Sequence, residues 1–420
     1  MRRWLYIVVM HALIPFALLH LAWRARRQPA YLEHVGERFG LQYAPGPGPW
    51  LWVHAVSVGE TRAAQPLVAA LLAQHPDHGV LLTHGTPTGR ETGKQLFGDR
   101  VVSAYLPYDL PWAVNSFLRA WRPRAGILME TELWPELIAR AGRSGTPMLL
   151  VNARLSERSA RGYGRVAKLT RDALGGLAVV AAQGPDDAER LTALGARQVA
   201  VMGNLKFDVT PDVAQIALGR TLRERFGPAR PVWLAASTRE GEEAIVLDAL
   251  ASMPDTGALL VLVPRHPQRF DEVAKLVEAR GFTLERRSGN TPVAASTQVV
   301  LGDSMGEMFA YFGAADIAFV GGSLVPTGGQ NLIEACAVGT PVLIGPHTFN
   351  FADATEAAIR TGAALRVSDA NGLARAVAHL LGDDVARASM GHAGLAFAAE
   401  HRGATGRVLR LLEETLSRSR

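Results

Sequence analysis

The sequence predicts an α/β protein with two Rossmann-like domains that face each other across a cleft, preceded by an N-terminal membrane-anchor helix. Three observations support this prediction. The chain has 420 residues, which is enough for two or three domains. Short apolar runs alternate with helical patterns in two successive series, and one segment near the N-terminus carries no charged side chain. Apolar residues make up 48% of the chain and charged residues 20%, a composition that excludes a disordered or fibrous protein.

The uncharged segment runs from Trp4 to Trp23. At 1.5 Å per residue it reaches about 30 Å, the thickness of the hydrocarbon core of a bilayer. Arg24, Arg26 and Arg27 follow it, and arginines on this side favour a cytoplasmic location for the rest of the chain. A cleaved signal peptide does not fit, because arginines stand where small residues would precede cleavage. We therefore expect residues 1–28 to form a membrane anchor, with a buried helix of a soluble domain as the alternative.

The first series of apolar runs predicts a parallel sheet. Its runs are almost continuously apolar, as strands covered on both faces require. We assign residues 29–210 to this first Rossmann-like domain. Its predicted strands cover residues 51–56, 79–84, 125–130, 147–153, 177–183 and 198–203.

The second series predicts another sheet of the same kind. We assign residues 229–420 to it and residues 211–228, which are bounded by Pro211 and Gly227, to an interdomain connection. Ligands of such sheets bind beyond the carboxyl ends of the strands, so functional residues are expected at those ends. The predicted strands cover residues 232–237, 258–265, 298–303, 317–323 and 341–346.

Acidic residues follow two strands of the first predicted sheet. Glu60 lies where the first strand turns into a helix, and a carboxylate there can cap the helix or act as a general base. Position alone leaves these two interpretations equal. Glu130 and Glu132 follow the third strand and share a side if that segment is extended. Carboxylates next to such an apolar strand are costly to bury unless they are paired. They can belong to a functional site, or one of them can form a structural ion pair with Arg154 or Arg158.

Basic residues occupy two further positions of interest. Lys206 follows the last strand of the first series, next to the predicted cleft, although a lone lysine is usually solvated. Arg158, Arg161, Arg165 and Lys168 fall within an arc of about 80° on one helix face at 100° per residue. This stripe, with Arg154 and with Arg24, Arg26 and Arg27, predicts contact with an anionic membrane or with acceptor phosphates. A solvated charged face is the alternative.

The strand ends of the second sheet indicate an anion site. Arg265 and His266 follow Pro264 and are both able to bind an anion. Ser304 and Glu307 have the spacing of a capping box at the start of a helix.

Two glycine pairs, at residues 321–322 and 328–329, predict a phosphate cradle made of backbone N–H groups and a helix N-terminus. Glu334 lies one turn into that helix on the same face as Asn331, at a distance suited to ribose hydroxyls. An ordinary glycine-rich loop is the alternative.

Composition excludes several other kinds of site. Cys336 is the only cysteine, so neither an intrachain disulfide nor a cysteine-rich metal site can form. The net charge of +5 suits an anionic ligand or a membrane surface and does not require nucleic acid. Because the sequence has no Asp-x-Asp pair, we expect no metal and no cofactor, and the cations must come from Arg, Lys and helix N-termini.

Seven segments together resemble one family. The chain is similar to the 3-deoxy-D-manno-octulosonic acid (Kdo) transferases of lipopolysaccharide biosynthesis, which have the GT-B fold. The resemblance implies an inverting glycosyltransferase at the cytoplasmic face of the inner membrane, which transfers Kdo from CMP-Kdo to the lipid A precursor (lipid IVA). The segments occur in the order HAVSVGE, METELWPE, VNARLSERSARGY, GNLKFD, VPRHPQRF, GDSMGEM and TGGQNLIEA.

The resemblance also implies residue roles. Glu60 would accept the proton of the acceptor hydroxyl, and Glu130 and Lys206 would stabilise the transition state. Residues 29–210 would bind the acceptor and residues 229–420 the donor. The positions that match CMP-contacting segments are Pro264, Arg265, Met305, Gly306, Glu307, Asn331, Leu332, Ile333 and Glu334.

Two other functional classes remain open from the sequence. A sugar-nucleotide 2-epimerase has the same double Rossmann fold and a similar ribose-binding glutamate, but it has no use for a membrane anchor. A non-catalytic lipid-glycan binding module would keep the anchor but would not need Glu60, Glu130 and Lys206.

Overall fold

The computed structural model describes residues 1–46, 48–208, 210–254 and 257–418. The chain forms two compact units. Unit 1 comprises residues 1–208 together with residues 403–420, and unit 2 comprises residues 209–402. Each unit contains a seven-stranded parallel sheet with helices on both faces.

The N-terminal apolar segment forms two helices, α1 (Arg3–Ala12) and α2 (Ile14–Ala25), where the sequence predicted one. The two helices are bent by 46°. Pro15 explains the break, because a proline has no N–H to donate and its ring clashes with the preceding turn. In the described part of the chain no single helix is long and apolar enough to cross a membrane. The two helices of the bent pair, taken together, have the length and composition of a membrane span. Its exposed apolar side chains are Trp4, Leu5, Val8, Val9, Leu13, Phe16, Leu18, Leu19 and Trp23.

Both ends of the apolar pair rest on unit 1. Arg3 donates two hydrogen bonds to the fully buried carboxylate of Glu136, at 2.6 and 2.9 Å. At the other end, Leu21 and Ala25 of α2 pack against Tyr31. The pair therefore begins and ends on the same body.

The sheet of unit 1 has the strand order β3-β2-β1-β4-β5-β6-β7, and all its pairs are parallel. The order reverses between β1 and β4, which is where such sheets bind ligands. The strands are β1 (Trp50–His54), β2 (Gly79–His84), β3 (Val102–Tyr105), β4 (Pro123–Met129), β5 (Met148–Ala153), β6 (Val179–Ala182) and β7 (Val199–Val201). The helices are α3 (Val58–Ala63), α4 (Gln65–Gln74), α5 (Pro87–Phe97), α6 (Pro111–Trp121), α7 (Pro135–Arg143), α8 (Glu157–Gly164), α9 (Ala167–Leu174) and α10 (Pro185–Ala193).

The sheet of unit 2 has the strand order β10-β11-β9-β8-β12-β13-β14, again with parallel pairs, and its order reverses between β8 and β12. The strands are β8 (Val232–Thr238), β9 (Leu259–Pro264), β10 (Leu284–Arg286), β11 (Val299–Leu301), β12 (Ile317–Val320), β13 (Val342–Ile344) and β14 (Ala364–Arg366). The helices are α11 (Val213–Phe226), α12 (Glu242–Ser252), α13 (Phe270–Ala279), α14 (Met308–Ala314), α15 (Ile333–Ala337), α16 (Ala352–Arg360), α17 (Ala370–Gly382) and α18 (Asp384–His401).

The predicted domain boundaries need two corrections. Residues 211–228 belong to unit 2 and do not form a separate connection, because their helix α11 packs on α14 and Arg223 pairs with Asp316 at 3.0 Å. Residues 403–420 do not belong with unit 2. Their helix, α19 (Ala404–Arg418), buries Val408, Leu409 and Leu412 in the core of unit 1. The amphipathic face of α19 is thus covered by the first sheet.

Candidate functional site

The carboxylate of Glu60 occupies the start of α3 in unit 1. Its Oε2 accepts the N–H of Val56 at 2.8 Å, and its Oε1 accepts the hydroxyl of Ser57 at 3.0 Å. Ser57 is the N-cap of α3 and Glu60 lies three residues later, which is the spacing of a capping box, although Glu60 accepts the N–H of the residue before the N-cap. The capping interpretation of Glu60 is therefore observed, and a catalytic role must be compatible with it.

The environment of Glu60 also suits a base. Burial raises its pKa to about 7, and the nearby carboxylates of Glu132 and Glu130 add to the rise, against the hydrogen bonds from Val56 and Ser57. A carboxylate in this state gains and loses its proton near neutral pH, where proton acceptors are most effective.

Glu130 and Lys206 form an ion pair at the carboxyl edge of the same sheet. Lys206 Nζ lies 3.3 Å from Glu130 Oε1, and both side chains are about one-third exposed, at 34% and 29%. Glu130 has a φ of 57°, a left-handed conformation that is costly for a side chain other than glycine. The turn after β4 accordingly holds this carboxylate in a strained backbone position. The structure thus brings the three predicted catalytic residues to one region of unit 1.

A network of side-chain amides holds the backbone around Lys206. The Oδ1 of Asn152 accepts the N–H of Leu205 at 3.0 Å, and the Oδ1 of Asn204 accepts the N–H of Lys206 at 2.9 Å. Gln183 links the two, donating to the carbonyl of Asn152 and accepting from the amide of Asn204. This network was not predicted from the sequence. Its only signal was a polar residue inside the apolar run of β5.

Glu132 is a third carboxylate in this cluster, and no catalytic role was predicted for it from the sequence. Burial raises its pKa, the charge of Glu130 raises it further, and the hydrogen bond from Trp134 opposes the rise. Trp134 Nε1 donates to Glu132 Oε2 at 3.0 Å. Glu132 therefore belongs to the electrostatic environment of Glu60.

The predicted basic stripe does not lie on one helix. Helix α8 ends at Gly164 and α9 begins at Ala167, so Arg165 lies in the break. The arc computed for a single helix was wrong, because Gly162 and Gly164 weaken the helix at that point. All the residues of this set are exposed. They are Arg154, Arg158, Arg161, Arg165 and Lys168.

In unit 2 the structure brings together three of the predicted CMP-binding residues. Asn331 Nδ2 donates to Glu334 Oε1 at 3.2 Å. Burial raises the pKa of Glu334, while Asn331 and the nearby guanidinium of Arg265 lower it. Arg265 follows Pro264 at the end of β9, and its N–H bonds the carbonyl of Thr238 at 3.0 Å. Leu332 and Ile333, between Asn331 and Glu334 in the chain, are buried.

The segment around Met305, Gly306 and Glu307 differs from the predicted capping box. Helix α14 begins at Met308, so Ser304 is not its N-cap. Ser304 still donates to Glu307 at 2.6 Å, and Arg287 pairs with Glu307 at 3.2 Å. Gly306 has a φ of 79° and Met305 is 58% exposed. The left-handed glycine ends the turn before a helix can start.

The glycine turns of the predicted phosphate cradle are already filled. The buried carboxylate of Glu242 accepts the N–H groups of Gly322, Ser323 and Leu324 at 2.6, 3.0 and 2.9 Å. The N–H groups of residues 329 and 330 bond the carbonyls of residues 322 and 321. Because these five amides have internal acceptors, the glycine turns cannot offer them to a phosphate. That part of the prediction was wrong. The sequence placed Glu242 far from the loop and so gave no sign of this contact.

No group of three or more His, Cys, Asp or Glu side chains within the described ranges is arranged to hold a metal ion.

Two doubly wound parallel sheets, with polar side chains where each strand order reverses, define the class of the protein as a GT-B-like α/β fold. A solved UDP-GlcNAc 2-epimerase from Neisseria meningitidis, bound to UDP-GlcNAc, shares this architecture. It has a TM-score of 0.57 and 15% identity over 87% of this chain and 100% of that one. An identity this low supports the fold alone.

Sequence comparison identifies the family. Residues 33–209 match the family described as 3-deoxy-D-manno-octulosonic-acid transferase (kdotransferase), and residues 278–396 match glycosyl transferases group 1. A 3-deoxy-D-manno-octulosonic acid transferase of Bordetella pertussis is 46% identical over 99% of this chain and 100% of its own length. One from Haemophilus influenzae is 39% identical over the full length of both. The chain belongs to the Kdo transferase family of glycosyltransferases.

Proposed function

We propose that the protein transfers Kdo from CMP-Kdo to the lipid A precursor, lipid IVA, with inversion at the anomeric carbon. The observation that carries this proposal is the cluster of Glu60, Glu130 and Lys206 at the strand-order reversal of unit 1. The cluster occurs in a chain that aligns over its whole length with named Kdo transferases.

The residues of unit 1 supply the proton transfer and the charge. Ionised Glu60 accepts the proton of the acceptor hydroxyl, whose oxygen forms a bond to C2 of Kdo. The bond from C2 to the phosphate oxygen breaks, and CMP leaves with that electron pair. Displacement from the opposite face inverts C2. The ammonium of Lys206, held by Glu130, stabilises charge that develops in the transition state.

The residues of unit 2 bind the donor. Glu334 and Asn331 contact the ribose, and Arg265 offers a cation to the phosphate. We propose that the reaction needs no metal, since arginine and lysine side chains can balance the charge of a monophosphate diester.

We further propose that the α1–α2 pair lies in the interface of the inner membrane, on its cytoplasmic face, and does not span it. Its exposed side chains include Trp4, Phe16 and Trp23, which suit the headgroup boundary. Arg3 and Ala25 both rest on unit 1, so the two ends of the pair stay on one side of the bilayer.

The test of the activity is release of CMP from CMP-Kdo in the presence and absence of lipid IVA. We expect release that depends on lipid IVA, a product inverted at C2, and unchanged rates in EDTA. Release without acceptor, or turnover of UDP-GlcNAc instead, would favour another reaction of this fold. Loss of activity in EDTA that Mg²⁺ restores would contradict the metal-free proposal.

The test of the membrane arrangement uses Arg2→Cys and a membrane-impermeant maleimide. The native Cys336 is buried and burial raises its thiol pKa to about 12, so it provides an unreactive background. We expect labelling of position 2 in inside-out vesicles only. Labelling only in right-side-out vesicles would show that the segment spans the membrane.

A further inference from the structure

Two basic side chains meet at the ligand-binding edge of unit 2. Arg239 follows β8 and His266 follows the neighbouring β9. The Nη1 of Arg239 lies within hydrogen-bond distance of the Nε2 of His266. The stem of Arg239 passes beside Gly322 after β12, because a Cβ on that glycine would come within 3.3 Å of Arg239 Cγ. The pair therefore lies where the strand order of unit 2 reverses.

This pair has no counter-ion. Across the part of the chain that the structure describes, neither the guanidinium of Arg239 nor the imidazole of His266 pairs with a carboxylate within 4.0 Å, and Glu242 contacts Arg239 through the backbone N–H of Arg239 at 3.1 Å. Arg269, on the same loop as His266, is already bound by Glu243 at 2.6 Å and by Glu272 at 2.9 Å.

The amides of the neighbouring glycine turn cannot replace a counter-ion here. Glu242 occupies the amides of residues 322–324. An anion beside the pair therefore cannot use these three amides.

The contact between Arg239 and His266 determines which ring nitrogen of His266 is unprotonated. Arginine has no acceptor atom, so the Nε2 of His266 must be the unprotonated acceptor of an N–H from Arg239. The groups that face His266 are Arg239 from the end of β8, with Arg265 and Arg269 from its own loop. Desolvation and then these three positive charges lower the pKa of His266.

We propose that Arg239 and His266 form an anion clamp for the charged part of the sugar-nucleotide donor, and that ligand binding adds one proton to His266. The proposal rests on the proposed function, which supplies a donor with a phosphate diester and a sugar carboxylate. Both anions offer the acceptor oxygens that the clamp needs. On binding, Arg239 turns its N–H groups from His266 to the anion. His266 takes a proton from solvent at Nε2 and donates it in a second hydrogen bond.

The first experiment measures the affinities of cytidine, CMP and CMP-Kdo for the full-length protein. The variants are Arg239→Gln, Arg239→Lys and His266→Gln. Arg375→Gln, an exposed arginine of unit 2, is the matched control. We expect Arg239→Gln to weaken CMP-Kdo about 10- to 100-fold, the effect of one lost charge-assisted hydrogen bond, and to leave cytidine unchanged. Arg239→Lys retains the charge and should recover part of the loss.

The ligand series separates the two sources of the anion. Equal weakening of CMP and CMP-Kdo assigns the clamp to the phosphate. Weakening of CMP-Kdo alone assigns it to the carboxylate. Equal affinities in the Arg239 and His266 variants and the control overturn the clamp.

The second experiment measures proton uptake by calorimetry, in buffers with different ionisation enthalpies at pH 7.5. We expect wild type and Arg375→Gln to take up protons on binding CMP-Kdo, and His266→Gln to take up none. Equal uptake by His266→Gln, or no uptake by wild type, overturns the protonation step.

Failure of the proposed function gives a different result. A wild-type protein that binds CMP-Kdo with proton uptake but transfers no Kdo retains the clamp and loses the assigned reaction.

Discussion

The side chain of Glu60 caps helix α3 and is also the proposed catalytic base. Its two oxygens accept hydrogen bonds at the start of α3, which fixes the carboxylate in place. Burial and two neighbouring carboxylates keep its pKa near 7. A base held by a helix cap needs no separate positioning residue, so the cap supports the catalytic proposal.

We predict that Glu60→Gln lowers turnover about 10²- to 10⁴-fold, because the amide keeps the shape and an acceptor oxygen but cannot take a proton. CMP affinity should be unchanged, since the residue lies in unit 1 and the CMP-binding candidates lie in unit 2. Turnover and CMP binding are measured on the same preparation. Near-normal turnover would leave Glu60 as a helix cap only.

The raised pKa of Glu60 and its neighbouring carboxylates predict that the rate of transfer depends on pH. Glu60 acts as a base only when ionised, so activity should be low in acid and rise through its pKa of about 7. Glu132→Gln removes a negative charge that disfavours ionised Glu60, and it should move this acidic limb to lower pH. The shift will be partial, because burial is the larger cause. Rate profiles from pH 5 to 9 measure it, with the exposed Glu189→Gln as control. An unshifted limb, or a shift to higher pH, would remove Glu132 from the environment of the base.

At the level of elements, the strands that the sequence missed are β3, β10 and β14. Each lies at an edge of its sheet and is short and partly exposed. An edge strand packs on fewer neighbours, so it does not need the continuous apolar run by which the central strands were predicted. Strand β7 is the exception: it also lies at an edge of its sheet, but its apolar sequence was enough to predict it.

Two basic residues of α8 and α9 have weak partners on their own helices. Arg161 lies 3.9 Å from Glu157, and Lys168 lies 3.0 Å from Asp172; both are exposed pairs one helical turn apart. Such pairs contribute about 0–1 kcal/mol and leave the charge available to an anionic surface.

We predict that Arg161→Gln, Arg165→Gln and Lys168→Gln together weaken binding to anionic vesicles and impair use of lipid acceptor. CMP affinity should not change. High salt should weaken vesicle binding of wild type more than that of the variant. A control with the same charge loss replaces residues 275, 360 and 375 of unit 2, which are also exposed. Equal binding by both triple variants at both salt concentrations would make the stripe a solvated face.

At the level of the whole molecule, the chain leaves unit 1 at Asp208 and returns to it at Gly403. The carboxylate of Asp208 accepts the N–H groups of Gly403 and Thr405, which joins the outgoing and returning segments. Helix α19 then completes the core beneath the first sheet. The C-terminal helix is therefore part of the unit that carries Glu60.

We predict that Leu412→Ala destabilises unit 1 by about 2–5 kcal/mol, the cost of a cavity at a fully buried leucine. Hydrogen exchange should show faster opening of β1 and β4, with β8 and β12 unchanged. Val385→Ala, at a position 80% exposed in unit 2, serves as the control. Unchanged protection of β1 and β4 would mean that α19 contributes little to unit 1.

The sequence by itself determined the features that follow from local pattern. Continuous apolar runs marked the central strands, and strand ends marked where Glu60, Glu130, Lys206 and Arg265 would lie. In a parallel sheet the carboxyl ends of all strands lie at one edge, independently of the conformation of the loops.

Only the tertiary structure decided which distant groups satisfy one another. Glu242 fills the amides of the glycine loop, α19 returns to the first sheet, and Arg239 meets His266. These contacts join residues far apart in sequence. They form because a buried polar group needs a hydrogen-bond partner and an apolar helix face needs to be buried. In the folded chain, the partner comes from an element that is close in space and distant in sequence.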